Sequence, residues 1–288
     1  MARKATRGTS RRRDGTWDLI KTVFWALVIA GAFRTILFQP FSIPSGSMKP
    51  TLLEGDYIFV TKYSYGYSRY SLPFSPDLFD GRILGRMPER GDVIVFKHPK
   101  QDQCTRGVFD MLGDLVRLLT SSSKAAEPDD CVDYVKRLVG LPGDRIQVLN
   151  GVLHINDQPV GMELVGEFVE PAADAGAFCG KPGVVEGQRV CISEMWEETL
   201  PEGLKHILLN SNGNTTFPDM TDVYVVPEGH FFFMGDNRDN SVDSRRDQVG
   251  VVPFENLIGR ADLILLSSEG AFWEIWEWRG DRFFKAIE

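Results

Sequence analysis

Gly91-Asp92-Val93-Ile94-Val95-Phe96 decides the fold class. Val93 to Phe96 is an unbroken β-branched and aromatic run behind a turn pair, which favours a strand. Glycine supplies positive φ at a turn, and aspartate bonds its own local backbone. The same device recurs at Gly55-Asp56-Tyr57-Ile58-Phe59-Val60 and at Gly143-Asp144-Arg145-Ile146-Gln147-Val148. Further short runs follow at Val152–Ile155, Val223–Val226, His230–Met234 and Ala261–Leu266. Asn150-Gly151 between two such runs predicts a tight hairpin. The body is therefore expected to be mainly β, and no internal repeat is visible.

Outward toward the N-terminus the character changes. The chain has 288 residues, 43% hydrophobic and 25% charged, with net charge -8. Arg3, Lys4, Arg7, Arg11, Arg12 and Arg13 face only Asp14, so the first 14 residues carry +5 and the remainder -13. An acidic body argues against a nucleic-acid partner, because phosphate binding needs clustered Lys and Arg. The segment from Leu19 to Phe38 has about the 20 residues that a bilayer requires. Lys21 and Arg34 sit toward its ends, where long side chains snorkel to headgroups. The basic head predicts a cytoplasmic N-terminus and a body on the opposite side. A cleaved secretory signal ending near Ala30-Gly31-Ala32 is the competing reading. Apolar character resumes at Ile36, Leu37 and Phe38, which favours a retained anchor.

Three stretches interrupt the β pattern. Residues 65–89 are rich in aromatics, Gly and Pro, and residues 100–130 hold one candidate helix, Met111 to Leu119. Residues 160–222 suggest a second, smaller β subdomain. Asn214-Thr215-Thr216 matches a glycosylation sequon, a short pattern that also arises by chance. Ala271 to Trp278 is aromatic, suited either to the bilayer interface or to capping a β core. Outside the cytoplasm, Cys104, Cys131, Cys179 and Cys191 favour disulfides. Proximity suggests Cys104–Cys131 and Cys179–Cys191, one of three connectivities. No CxxC or HExxH spacing is present, so neither a metal nor a cofactor is expected.

The chemistry centres on Pro44-Ser45-Gly46-Ser47-Met48-Lys49-Pro50-Thr51-Leu52, just past the apolar segment. A serine hydroxyl needs a base to act as a nucleophile. Lysine can be that base only when neutral, which requires burial to depress its pKa by about 2–3 units. Lys136 lies among Val135, Leu138 and Val139, and its neighbour Arg137 would face the other way in a strand. Lys49 and Lys124 compete on residue type alone. Lys49 precedes Pro50 and should point to solvent if Met48 points inward. Ser121-x-x-Lys124 fits a penicillin-binding pattern but lacks an apolar run after it. The residues favour Lys136 without excluding the others.

Four ordered segments resemble the motifs of bacterial type I signal (leader) peptidases. Ile43 to Leu52 is similar to the nucleophile motif, Arg90 to Phe96 to the third, Tyr134 to Asp144 to the lysine motif, and Gly235 to Arg245 to the last. The resemblance implies Ser47 as nucleophile and Lys136 as general base. It implies Ser45 and the Ser47 backbone N–H as oxyanion donors, with Ser241 orienting the lysine. Asp243 with Arg245, and Asp236 with Arg137, would be structural ion pairs. The substrate pocket would be formed by Phe41, Ile43, Pro44, Met48, Leu52, Ile58, Tyr134 and Val135. Implied substrates are preproteins cut after small residues in an Ala-x-Ala pattern. Implied partners are the lipid bilayer and, as a candidate, the secretion translocon.

The expected architecture is a complex β-barrel-like ectodomain with a second, smaller β subdomain and one N-terminal transmembrane helix. Residues 1–16 would be a basic cytoplasmic segment, 17–38 the membrane span, and 39–288 a periplasmic catalytic ectodomain. Within the ectodomain, 39–150 and 223–270 would be core and about 151–222 the inserted subdomain. The implied home is the bacterial inner membrane, crossed once. Three rivals remain at this stage: a self-cleaving serine–lysine repressor, a silent membrane-anchored β scaffold, and a Ser-His-Asp hydrolase using His230.

Overall fold

The structure is a computed structural model that describes residues 11–72, 79–100, 133–175, 179–210, 218–270 and 274–287. The candidate helix 111–119, Cys104, Cys131, Lys124 and the sequon lie outside the described residues.

Helix α1 (Arg11–Ile36) opens the described chain. Its stretch Gly15–Phe33 is long and apolar enough to cross a membrane, and none of it is buried against the body. One residue, Leu37, joins it to strand β1 (Phe38–Ser42). The joint is tied on three sides. Leu37 N donates to Phe33 O at 2.9 Å and Lys62 N to Leu37 O at 3.1 Å. Tyr67 Oη donates to Ile36 O at 2.7 Å. The Phe38 ring lies 5.7 Å from Phe33, 5.9 Å from Phe59 and 5.8 Å from Tyr63.

The main sheet contains β1, β2 (Asp56–Thr61), β5 (Val93–Lys97), β6 (Asp133–Gly140), β15 (His230–Met234), β16 (Val252–Pro253), β17 (Leu257–Ser267) and β18 (Lys285–Ala286). Its order is β1-β2-β17-β5-β6-β15-β16, with β18 added to β17. Register shifts in the β17 pairings bend it into a half-barrel that stays open at β1 and β16. A second sheet, β14-β7-β8-β9, combines β7 (Arg145–Leu149), β8 (Val152–Ile155), β9 (Gln158–Pro159) and β14 (Tyr224–Val225). A third holds β10 (Gly161–Pro171), β11 (Lys181–Val185), β12 (Gln188–Thr199) and β13 (Lys205–Leu209), with β12 at its centre. The short pair β3 (Tyr67–Ser68) and β4 (Arg82–Ile83) lies apart.

The period of two in the strands sorts the core. Val93 and Val95 of β5 join one cluster with Ile43, Met48, Leu52, Ile58 and Val60. Ile94 and Phe96 join another, with Leu138, Phe231 and Phe233. Phe232 and Met234 of β15 enter a third, with Val139, Ile146 and Leu153. Strands buried on both faces account for the unbroken apolar runs in the sequence. β10, by contrast, is mostly exposed and paired on one side only, so its residues carry no such run.

The Gly-Asp pairs form three copies of one turn. The aspartate N–H donates to the carbonyl three residues back: Asp56 to Leu53, Asp92 to Glu89, Asp144 to Leu141. The aspartate carboxylate accepts from that residue's N–H, at 2.8, 3.0 and 2.7 Å respectively. Gly55, Gly91 and Gly143 hold φ of 84, 94 and 88°, as the third position of a type II turn demands. The hairpin across Asn150-Gly151 pairs β7 with β8, so 152–159 belong to the second sheet and the third sheet starts at Gly161.

Cys179 and Cys191 form a disulfide with Cα atoms 5.3 Å apart. In the aromatic stretch 271–278, Trp276 is 74% and Trp278 36% exposed. Beyond that stretch, Arg282 is buried and pairs with Asp56 across 226 positions, docking the C-terminal end on the core.

Candidate active site

β1 ends at Ser42, and the chain turns into a short 3-10 helix, Gly46–Met48. Ile43 is fixed to Asp56 and Gly55 by two backbone bonds, while Met48 and Leu52 drop into the core. Ser47 is thereby left at the surface of the turn beside β6. Lys136 Nζ lies 2.5 Å from Ser47 Oγ and 2.9 Å from the Val135 carbonyl. The amine is also 5.6 Å from the centre of the Tyr134 ring.

Lys136 is 3% exposed and makes no ion pair among the described residues. Burial pushes its pKa down to about 8, against the opposing pull of Asp243 and Asp236. Those two carboxylates are occupied elsewhere. Asp236 accepts from Arg137 Nε and Nη2, both at 2.8 Å, and from Thr51 Oγ1 at 2.6 Å. Asp243 accepts from Arg245 Nε and Nη2, both at 2.9 Å, and from Gly235 N at 3.0 Å. Burial alone would raise both carboxyls, but the guanidinium partners hold both below their ordinary range. A third buried pair, Arg238 with Glu198 at 2.9 and 2.6 Å, extends the network. His206 sits there too, and burial pushes it down to about 4, so it is neutral at pH 7.

Lys49 requires a correction. It does not point to solvent: it is 5% exposed, and its Nζ donates to Glu170 Oε2 at 2.6 Å. The reason is β10, which crosses behind the turn and brings a carboxylate that no local pattern announces. The two lysines near Ser47 thus differ in kind. Lys49 is an ion-paired ammonium, whereas Lys136 is buried against the nucleophile without a carboxylate contact.

A cleft of about 310 Å³ opens over the serine. Of the residues expected to bind substrate, Ile43, Pro44, Met48, Tyr134 and Val135 line it, as do Ser45, Ser47 and Lys136. Leu52 and Ile58 are fully buried in the cluster that backs this wall, and Phe41 packs against the same cluster. Ser241 is 3% exposed and packs beside Gly235 and the Ser47 carbonyl: a Cβ on Gly235 would meet Ser241 Oγ at 2.3 Å and Ser47 O at 2.5 Å. Its hydroxyl acts on the Asp243 carboxylate, helping to hold that group below its ordinary range, and the amine's second partner is the Val135 carbonyl. Among the described residues no histidine lines the cleft, and His230 is engaged with the Glu228 carbonyl.

Sequence reasoning missed several participants. Asp133, Asn240 and Val242 also line the cleft. Asn237 holds the nucleophile turn directly: Nδ2 donates to Gly46 O and its N–H to Ser47 O, both at 3.1 Å. Asn237 and Thr51 lie inside quoted motifs and were within reach of that reading. Glu170 and Glu198 carry no such signal, being each one of several glutamates in a long strand.

Residues 16–266 match the family model described as "Signal peptidase, peptidase S26". A protein named signal peptidase I from Rickettsia typhi is 38% identical over 258 residues, covering 87% of this chain and 80% of the relative. One of that name from Rickettsia felis is 39% identical over 282 residues, covering 93% and 84%. A crystal structure of a signal peptidase I from Enterococcus faecalis V583 aligns at 20% identity with a TM-score of 0.27, over 61% of this chain and 97% of the other. By the span of the family model and the identity to these relatives, this chain belongs to the signal peptidase family, peptidase S26, and is a protease.

Proposed function

We propose that the chain is a membrane-anchored serine endopeptidase that cuts signal peptides from exported preproteins after small residues. Ser47 is the nucleophile and Lys136 the general base. The observation that carries this reading is the 2.5 Å approach of Lys136 Nζ to Ser47 Oγ, with no carboxylate among the described residues paired to that amine. Neutral Lys136 takes the Ser47 hydroxyl proton as Oγ attacks the scissile carbonyl carbon. The oxyanion is met by the Ser47 N–H and the Ser45 hydroxyl. Lys136, now an ammonium, returns the proton to the leaving amine. In deacylation it takes a proton from the attacking water and gives it back to Ser47. Ser241, Asn237 and the two Asp–Arg pairs hold these parts in place.

The specificity follows from the wall. Ile43, Met48 and Val135 face the cleft, and Leu52 and Ile58 behind them have nowhere to move. Overfilling a rigid apolar wall costs about 1–3 kcal/mol, so only a methyl-sized side chain is accepted and an Ala-x-Ala pattern results. The apolar helix supports a bacterial inner-membrane home, with the N-terminus cytoplasmic and the body periplasmic. The bilayer and the translocon are the accompanying partners.

The test is cleavage of a preprotein with an Ala-x-Ala site by detergent-solubilised protein, with the new N-terminus identified. Wild type should cut after the second alanine. Ser47→Ala and Lys136→Ala should lower the rate by at least about 10³-fold while remaining folded. Full-rate cutting by Lys136→Ala would end the dyad assignment.

A further inference from the structure

Lys49 sits two residues beyond the nucleophile and plays no part in the steps above. Its side chain runs back beneath the 3-10 turn, so close that a Cβ on Gly46 would stand 2.8 Å from Lys49 Cε. There Nζ donates to Glu170 Oε2 at 2.6 Å and to the Asp174 carbonyl at 2.7 Å, with Glu54 Oε1 at 3.8 Å. Lys49 and Glu170 are 5% and 8% exposed.

One acceptor lies in the third sheet and the other in the turn that follows its strand β10. Glu170 is the penultimate residue of β10, directly opposite Cys191 of β12. Cys191 is in turn disulfide-bonded to Cys179. The turn after β10 is closed by Ala172 N to Arg189 O at 3.0 Å and by Asp174 N to Pro171 O at 2.9 Å. Glu170 and the Asp174 carbonyl are therefore presented by a braced structure. On its other side the nucleophile turn is held by Asn237, through the Gly46 and Ser47 carbonyls. The turn is gripped from two directions, by the last motif and by a sheet that none of the four motifs covers.

A buried ion pair is weak evidence for stability, since two well-packed apolar residues often do as well. Its distinctive property is direction. Two short bonds fix the amine, and the stem fixes the height of Gly46 and hence of Ser47. Displacing a reacting atom by about 1 Å can cost about 10²-fold in rate. We propose that Lys49 and Glu170 are a positioning pair that sets Ser47 against Lys136, giving the third sheet a role in catalysis. This rests on the reading of Ser47 and Lys136 as the reacting pair.

The test uses the full-length protein in detergent with a peptide carrying an Ala-x-Ala site. Wild type, Lys49→Met, Glu170→Ala and the double variant are compared by kcat, KM and pH profile. Each single change should lower kcat about tenfold with KM within about twofold, and the double should lose no more than either single. The pH midpoint should stay where it is, because neither group is among the charges acting on Lys136. Lys49→Arg, which keeps the charge, should recover most of the rate. Should Glu170→Ala fail to fold, the near-isosteric Glu170→Gln keeps an acceptor and should lose about threefold in kcat. Variants with wild-type kcat, losses that multiply in the double, or losses confined to KM would overturn the pair while leaving the catalytic reading intact. A wild type that does not cut would overturn the catalytic reading itself.

Discussion

At the scale of single residues, the burial of Lys136 has two measurable consequences. With its pKa near 8, only about a tenth of the amine is neutral at pH 7. Peptide kcat/KM should therefore rise about tenfold per pH unit toward pH 8 and then level off. A midpoint near the histidine range, or a flat profile between pH 6 and 9, would count against lysine as the base. The second consequence is thermodynamic. The folded pKa lies below the unfolded value of 10.5, so the unfolded chain binds more protons between about pH 8 and 10.5. Stability from this group accordingly rises with pH across that window, and below it the folded state carries the whole penalty, about 3 kcal/mol. Lys136→Met removes the penalty and forfeits two hydrogen bonds of about 1 kcal/mol each. It should abolish cleavage yet stabilise the fold at pH 7 by about 1 kcal/mol, an advantage that vanishes near pH 9 and reverses to a loss of about 1 kcal/mol at pH 10. Thermal melts at both pH values would settle it, and a destabilised variant at pH 7 would refute it. The burial of Lys136 was legible because its apolar neighbours are adjacent in sequence. The state of Lys49 was not, because its carboxylate partner lies 121 positions away in an otherwise ordinary acidic strand.

At the scale of elements, the repeated turn was the most readable feature. Its two parts, glycine for positive φ and aspartate for the local acceptor, are adjacent residues with fixed physical roles. The same turn has different surroundings at each site, which no local pattern conveys. A Cβ on Gly143 would meet nothing within 4 Å, whereas one on Gly55 would stand 1.9 Å from the Ser268 carbonyl oxygen. Gly143→Ala should cost only backbone strain, about 1 kcal/mol. Gly55→Ala must also displace the chain that carries Ser268, and should cost more than about 3 kcal/mol. Denaturant titration of the two variants checks the ranking, and equal losses would contradict it. Strands β2, β5, β7, β8, β14, β15 and β17 were anticipated from short β-branched and aromatic runs. β10 and β12 were expected only as part of a β subdomain, without their bounds, because strands this exposed carry few unbroken apolar runs.

At the scale of the whole molecule, the joint between helix and sheet sets where the nucleophile can reach. α1 passes into β1 through Leu37 alone, and hydrogen bonds from Lys62 and Tyr67 fasten the joint. β1 then extends for five residues, about 17 Å at 3.3 Å each, before the chain reaches the turn that bears Ser47. If α1 spans the bilayer, as proposed, Ser47 stands at a fixed, short height above its surface. A signal peptide still held in the membrane would present its cleavage site at that height. Four flexible residues inserted between Ile36 and Leu37 would release the height without touching the cleft, since β1 and the nucleophile turn keep their own partners. Cleavage of a preprotein inserted in lipid vesicles should then fall about tenfold, the loss expected when an oriented encounter becomes a tethered search. Cleavage of a short soluble peptide by the same variant in detergent should stay within about twofold. A loss on both substrates would mean that the insertion had damaged the site. Equal cutting of the membrane-held substrate would mean that the joint does not govern reach, and that the rigidity of the Phe33, Phe38, Phe59 and Tyr63 cluster serves folding alone.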